Sequence, residues 1–100
     1  MKYLVILLAA LSMSASADWE ARSGSDRVRL TEAPCTSAAV LEQIAARAMD
    51  AGNFRTAIAF VGGRTYNACW TNEGIAVRLI YEDGDHGMIP RGQLSKIESI

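Results

Sequence analysis

Three short strand-like stretches separated by glycine turns constrain the fold of this chain more than any other feature. They are residues 55–61, 64–71 and 75–81. Gly62 and Gly63 lie between the first two, and this pair is typical of a two-residue hairpin because both central residues of a type I′ turn need positive φ. The pattern predicts an antiparallel β-meander, followed by an extended piece at 88–90 in which Pro90 suits a sheet edge.

The first glycine turn also predicts a register. It pairs residues across the hairpin in this order: Phe60 with Thr65, Ile58 with Asn67 and Thr56 with Cys69. The second turn, at 72–74, is ambiguous. A two-residue turn at Glu73-Gly74 places Trp70 opposite Val77, whereas a three-residue loop places Cys69 there. The choice matters because a one-residue slip moves every side chain to the other face.

We favour the three-residue loop, since a bond to Cys35 at the start of the predicted helix requires Cys69 to face that helix. The face covered by the helix then carries Ile58, Phe60, Cys69, Ile75, Val77, Leu79 and Tyr81. The opposite face carries Arg64, Tyr66, Trp70, Arg78 and Ile80.

The first 17 residues have the pattern of a secretory signal peptide. Lys2 supplies a positive n-region, residues 3–11 form an apolar run too short to span a bilayer, and small residues precede a cleavage site after Ala17. The mature chain, residues 18–100, is therefore expected in the periplasm or outside the cell without a membrane anchor. A buried N-terminal helix is the alternative.

Charge and cysteine content narrow the class of protein. Removing Lys2 with the signal peptide leaves 9 basic and 11 acidic residues. No basic stripe is present, which argues against nucleic-acid binding. Two cysteines in an exported chain predict one disulfide, Cys35–Cys69; a redox pair or metal ligands are the alternatives, but the Cys-x-x-Cys spacing is missing.

The remaining segments complete a single small α+β domain: one helix packed on an antiparallel meander and joined to it by the disulfide. Residues 18–26 are polar and are interpreted as a flexible lead-in, and 27–31 alternate as a short strand. Residues 36–51 show helical apolar spacing, with Thr36 or Ser37 as N-cap and Gly52 as C-cap. Residues 93–100 form a last helical turn, with Leu94 and Ile97 packing inward, or a loose tail.

Residues 82–87 form an acidic, glycine-rich turn. Clustered carboxylates suit Ca²⁺, but EF-hand spacing is missing, and a solvated turn without metal or cofactor is the preferred interpretation. His86 lies next to Asp85 and is a candidate general base. Together with Asp83, these side chains are the one set on which the active site of a small hydrolase could be built. A side chain in water is the simpler reading of His86.

Five short motifs lie along the mature chain: residues 28–30 (Val-Arg-Leu), 34–35 (Pro-Cys), 66–70 (Tyr-Asn-Ala-Cys-Trp), 81–85 (Tyr-Glu-Asp-Gly-Asp) and 89–90 (Ile-Pro). Together they resemble a pattern in small, uncharacterised exported proteins of proteobacteria and their phages or prophages. The resemblance covers most of the mature chain. It implies an envelope factor carried by a phage or transferred horizontally, and it brings no activity or catalytic residue.

The function favoured by these features is a monomeric, non-enzymatic module that binds a protein of the cell envelope, in the manner of an inhibitor or exclusion factor. An accessory part of an envelope or phage-related assembly is an alternative. The predicted binding residues are Tyr66, Trp70, Arg64 and Arg78, because aromatics with arginine are typical of binding hot spots. The competing interpretation is that a terminal segment covers this face, which would make the aromatics part of the core.

Overall fold

A computed structural model describes residues 17–98 of the chain. This part contains one α-helix, two short 3₁₀ turns at Ala51–Asn53 and Arg91–Gln93, and seven strands. The elements are β1 (Ala17–Ser23), β2 (Asp26–Pro34), α1 (Ala38–Ala46), β3 (Arg55–Val61), β4 (Arg64–Asn72), β5 (Ala76–Tyr81), β6 (His86–Pro90) and β7 (Ser95–Glu98). The signal-peptide prediction, apart from Ala17, lies outside the described residues.

All strands join one antiparallel sheet in the order β6-β5-β4-β3-β2-β1-β7. The predicted strand at 55–61 is confirmed, and so is the register of the hairpin at Gly62-Gly63, where Thr56 pairs with Cys69. Both glycines have positive φ, as the turn requires. The α+β class and the meander are therefore confirmed, within a larger sheet than the sequence predicted.

The predicted flexible lead-in at 18–26 is wrong. Most of this segment is β1, which pairs with β2 across a turn at Gly24-Ser25 and with β7 on its other side. Trp19 lies opposite Leu30 and packs on the core. A partly buried aromatic side chain and two sets of strand hydrogen bonds order the segment despite its polar composition.

The sheet curves into a half-barrel. Its two edge strands, β6 and β7, are joined by residues 91–94 alone, and four residues can span only about 14 Å. The edges therefore lie near each other, although the strands are at opposite ends of the hydrogen-bonded order. Leu94, in this connection, packs on the core as predicted, but 95–98 is a strand and the predicted helical turn is wrong.

Each face of the sheet has its own apolar core. The inner core consists of buried Leu30, Ala57, Ala68, Val77 and Leu79, against which partly buried side chains pack: Trp19, Val28, Trp70, Tyr81, Ile89 and Leu94. The outer core lies under the helix and consists of Val40, Ile44, Phe54, Cys69 and Ile80. Strand β4 contributes to both cores, because neighbouring residues of a strand point to opposite faces.

The preferred register of the second hairpin is wrong. Trp70 pairs with Leu79 and Cys69 with Ile80, so Val77, Leu79 and Tyr81 belong to the Trp70 face and Ile80 lies under the helix. Cys69 does face the helix, as expected. That requirement fixes the orientation of β4 but leaves the loop length free, and the loop length decides which residues of β5 accompany Cys69.

The predicted disulfide is confirmed. Cys35 and Cys69 are bonded, with 5.7 Å between their Cα atoms, and the bond closes a separation of 34 residues. It links the end of β2 to the centre of the sheet beside α1. Such a bond is compatible with an extracytoplasmic location.

The helix is shorter than predicted. Its N-cap is Ser37, whose hydroxyl accepts a hydrogen bond from the amide of Val40, and it ends at Ala46. Ala48 adopts positive φ, while Gly52, the predicted C-cap, lies in a 3₁₀ turn. No helix in residues 17–98 is long and apolar enough to cross a membrane.

Candidate functional site

The four predicted binding residues do not form one group. Arg78 pairs with Thr71 across the sheet, on the face opposite Trp70, and its guanidinium binds the carboxylate of Glu73 at 2.6 and 3.1 Å. The grouping of Arg78 with the aromatics followed from the incorrect register. Arg64 is exposed at the start of β4, where it pairs with Val61.

Trp70 is a partly buried member of the inner core. Its indole N–H donates a hydrogen bond to the carbonyl of Thr31 at 2.9 Å. Trp19 from β1 and Leu94 from the C-terminal segment pack on the same core. This arrangement matches the competing interpretation, in which terminal segments cover the aromatic face near Trp70. A contribution of Trp70 to binding stays a prediction.

Tyr66 lies at the other end of this face, in a surface cleft of about 270 Å³. We name this the tyrosine cleft and define it by the six residues that line it: Ala59, Val61, Tyr66, Tyr81, Asp83 and Asp85. Strands β3 and β4 supply the floor and one tyrosine, and the end of β5 with the following turn supplies the other tyrosine and both carboxylates. The two alanines of β3 that face inward, Ala57 and Ala59, are small and fully buried.

The carboxylates of the cleft are held by an ordered turn. The amide of Tyr81 donates to the carbonyl of Asp85 at 2.8 Å, and the amide of Gly84 donates to the carbonyl of Tyr81 at 3.0 Å. The Asp83 carboxylate accepts from the amide of Asp85 at 3.0 Å. Gly84 has φ +93°, a conformation that side-chain-bearing residues rarely adopt.

Contacts from neighbouring elements fix the position of this turn. Glu82 accepts a hydrogen bond from the amide of Asn67 in β4 at 2.8 Å. From the helix side, Arg47 donates to the carbonyl of Gly84 at 3.3 Å. The carboxylates of Asp83 and Asp85 are therefore presented on a braced backbone rather than on a free loop.

The electrostatic potential in the cleft is negative, because the carboxylates of Asp83 and Asp85 line it. Burial raises the pKa of the Tyr81 phenol, and the nearby carboxylates of Asp85 and then Asp83 raise it further. All three effects oppose the phenolate, so Tyr81 is a neutral hydroxyl at physiological pH. The cleft thus combines two aromatic rings, two phenolic hydroxyls and two carboxylates, a set suited to a cationic group.

His86 is not part of this arrangement. It pairs with Ile80 across β5 and β6, so it shares the outer face, whereas Asp83 and Asp85 line the cleft beside Tyr81. The conceivable acid–base set of the acidic turn is divided between two faces. Within residues 17–98, no group of three or more histidine, cysteine or acidic side chains is placed to hold a metal ion.

A larger depression of about 540 Å³ lies on the outer face over β1–β3. Its charges are largely satisfied within the protein: Arg29 binds Asp18 at 2.9 Å, and Arg22 binds Glu20. The guanidinium of Arg27 stacks over Phe60, 4.3 Å from the ring centre. Since its polar groups already have partners, this surface is a weaker candidate than the tyrosine cleft.

Sequence reasoning missed Tyr81 as a site residue and treated Asp83 and Asp85 as a solvated turn. The alternative two-residue turn at Glu73-Gly74 places Tyr81 on the same face as Tyr66. The sequence therefore contained a signal for this site, but the preferred three-residue loop assigned Tyr81 to the opposite face.

Comparison of the chain with models of protein families, with curated proteins and with solved structures finds no match. The described residues form a disulfide-linked α+β half-barrel.

Proposed function

We propose that this protein is an exported, non-enzymatic module that binds another protein of the cell envelope, and that the tyrosine cleft receives a basic side chain of that partner. The observation that carries the proposal is the pairing of Tyr66 and Tyr81 with Asp83 and Asp85 in one cleft. Aromatic rings and carboxylates together favour a lysine or arginine side chain, which gains both cation–π and charge interactions.

The proposed location in the cell envelope rests on features other than the tyrosine cleft. The signal-peptide pattern of residues 1–17 and the Cys35–Cys69 bond both favour export. The resemblance to small exported proteins of proteobacteria and their phages is in keeping with an envelope inhibitor or exclusion factor. Intact-mass measurement of the exported protein should give a chain beginning at Asp18.

The cleft chemistry can be tested without knowing the partner. Titration of the mature protein with N-acetyl-lysine amide, followed by NMR, should shift the ring signals of Tyr66 and Tyr81 with an affinity on the order of millimolar, as expected for one isolated contact. N-acetyl-norleucine amide has the same chain without the charge and should give no comparable shift. Equal shifts from both compounds would contradict a cation site.

The partner can then be sought with matched variants. Mature protein is immobilised and exposed to periplasmic extract, and the affinity of any captured protein is measured after purification. Tyr66→Ala and Asp85→Asn should each weaken binding at least fivefold, since truncation of a residue at the centre of a binding site costs about 1 kcal/mol or more. Glu42→Gln, which removes an exposed carboxylate of the helix, is the control and should bind normally. Turnover of a wall or peptide substrate instead of capture would favour an enzyme.

A further inference from the structure

The hairpin tip between β4 and β5 carries an exposed isoleucine. The turn is centred on Gly74 and Ile75, and Ile75 is 89% exposed. The sequence had predicted this residue to lie under the helix, and that prediction is wrong. The other hairpin tips in residues 17–98 consist of small or acidic residues: Gly24-Ser25, Gly62-Gly63 and the turn at 82–85. Such residues are usual at solvent-exposed turns, and isoleucine is not.

The tip is braced from both sides. Within it, the amide of Glu73 donates to the carbonyl of Ala76 at 2.9 Å, and the amide of Gly74 donates to the side chain of Asn72 at 3.0 Å. Gly74 has φ +89°, which fixes the direction of the chain at the tip.

Neighbouring elements complete the bracing. The amide of Arg91 donates to the carbonyl of Ile75 at 2.9 Å, and its Nε donates to the carbonyl of Gly74 at 2.5 Å. On the other side, Arg78 forms a two-bond ion pair with Glu73, and its hydrogen bonds lower the pKa of the Glu73 carboxyl. The isoleucine is thus presented on a backbone whose polar groups are tied to β5 and to the segment after β6.

Preorganisation of this kind reduces the ordering entropy that a binding loop loses on association. The charged groups around the tip leave a net positive charge. Glu73 and Arg78 neutralise each other, while the Nη groups of Arg91 have no hydrogen-bond acceptor in residues 17–98. The tip therefore presents one aliphatic side chain beside one cationic group.

We propose that Ile75 is an anchor that inserts into an apolar pocket on a partner protein, with a carboxylate of that partner at the pocket rim facing Arg91. This inference rests on the proposed function as a protein-binding module, but it concerns a second contact site, separate from the tyrosine cleft. Protein interfaces concentrate much of their binding energy in a few residues that fill well-packed pockets of the partner.

The first test is photo-crosslinking in the periplasm. An aliphatic diazirine amino acid, close in shape to the natural side chain, replaces Ile75, and a photoreactive phenylalanine analogue replaces Tyr66 in the tyrosine cleft. Each probe is also placed at Ser25, the exposed tip of the β1–β2 hairpin, as control. Crosslinking to one protein from position 75 and not from position 25 is the expected result. Crosslinking from position 66 but not from position 75 would overturn this inference and leave the proposed function intact. Loss of crosslinking at both positions would overturn both.

The second test measures affinity for the crosslinked protein after its purification. Ile75→Asp should weaken binding by about 30-fold or more, the range of a hot-spot residue, whereas Ser25→Asp should leave it unchanged. Both variants should fold, with melting temperatures within about 3 °C of the wild type, because both positions are exposed. Wild-type affinity of Ile75→Asp would refute the anchor.

A second copy of this chain is the competing occupant, and sedimentation equilibrium separates it from a different protein. The inference requires that the wild-type protein stays monomeric at the concentrations used for binding. A dimer that Ile75→Asp dissociates would overturn the assignment to a different partner.

Discussion

Replacement of Trp70 distinguishes a core residue from a binding residue. In the structure, Trp70 packs on the inner core and its indole N–H donates to the carbonyl of Thr31 at 2.9 Å. Trp70→Phe removes that hydrogen bond and one ring while leaving an aromatic side chain. Trp70→Ala removes the whole contact with the core. The two variants therefore separate the loss of the hydrogen bond and one ring from the loss of the whole aromatic side chain.

The expected magnitudes follow from these contacts. Loss of a neutral hydrogen bond costs about 1 kcal/mol, with more where the remaining acceptor loses access to water. Truncation of a fully buried tryptophan costs about 3–5 kcal/mol, and the partial burial of Trp70 lowers this to about 2–4 kcal/mol. With a urea m-value near 1 kcal/mol/M for a small domain, Trp70→Ala should lower the unfolding midpoint by about 2–4 M.

Urea unfolding followed by far-UV circular dichroism measures both effects, and a Trp19→Phe background allows the fluorescence of Trp70 to be followed separately. In that background Trp70 should be shielded from acrylamide quenching relative to the unfolded chain. A loss below about 0.5 kcal/mol in Trp70→Ala, with free access of the quencher, would refute the placement in the core. If that variant also lost the partner, Trp70 would be a binding residue after all.

Two further predictions concern the disulfide and the tyrosine cleft. Cys35→Ser or Cys69→Ser should lower the melting temperature by roughly 15–25 °C, because a disulfide that closes a loop of 34 residues stabilises the fold by about 3–4 kcal/mol. The unfolded, unreduced wild type should show no free thiol, and two reactive thiols would contradict the bond. Absorbance titration should show one tyrosine ionising above the usual pH range, and Asp85→Asn should move that titration downward. Folding raises the pKa of Tyr81, so ionisation of this tyrosine should not affect stability below the unfolded pKa near 10 and should lower it above that pH. The fall in stability should be smaller in Tyr81→Phe.

The local parts of the fold were predictable because their signals are local. Gly62-Gly63 determines both the turn type and the register of the first hairpin. Parity along β4 then places Cys69 and Trp70 on opposite faces, whichever loop follows. The disulfide followed from an even cysteine count together with the export signal.

The features that failed depend on contacts between distant segments. Strand β1 is polar and shows no clear alternation, and it is ordered by pairing with β2 and β7, the latter far away in sequence. The loop at Gly74 is consistent with several lengths, because a left-handed glycine fits each of them. The structure selects the length that places Leu79 in the inner core and Ile80 under the helix, a preference for packing that no single segment reveals.

The two proposed contact sites lie at opposite ends of β5. Ile75 precedes the strand, while Tyr81 ends it and Asp83 follows, so about 20 Å of strand separates them. A standard protein interface of about 800 Å² per partner is wide enough to cover both. One partner that contacts both sites would lose affinity in Ile75→Asp and in Tyr66→Ala, and the two losses should add, because the sites are too far apart to share contacts. Two different partners would each respond to one variant only, so the pair of variants decides whether the half-barrel presents one interface or two.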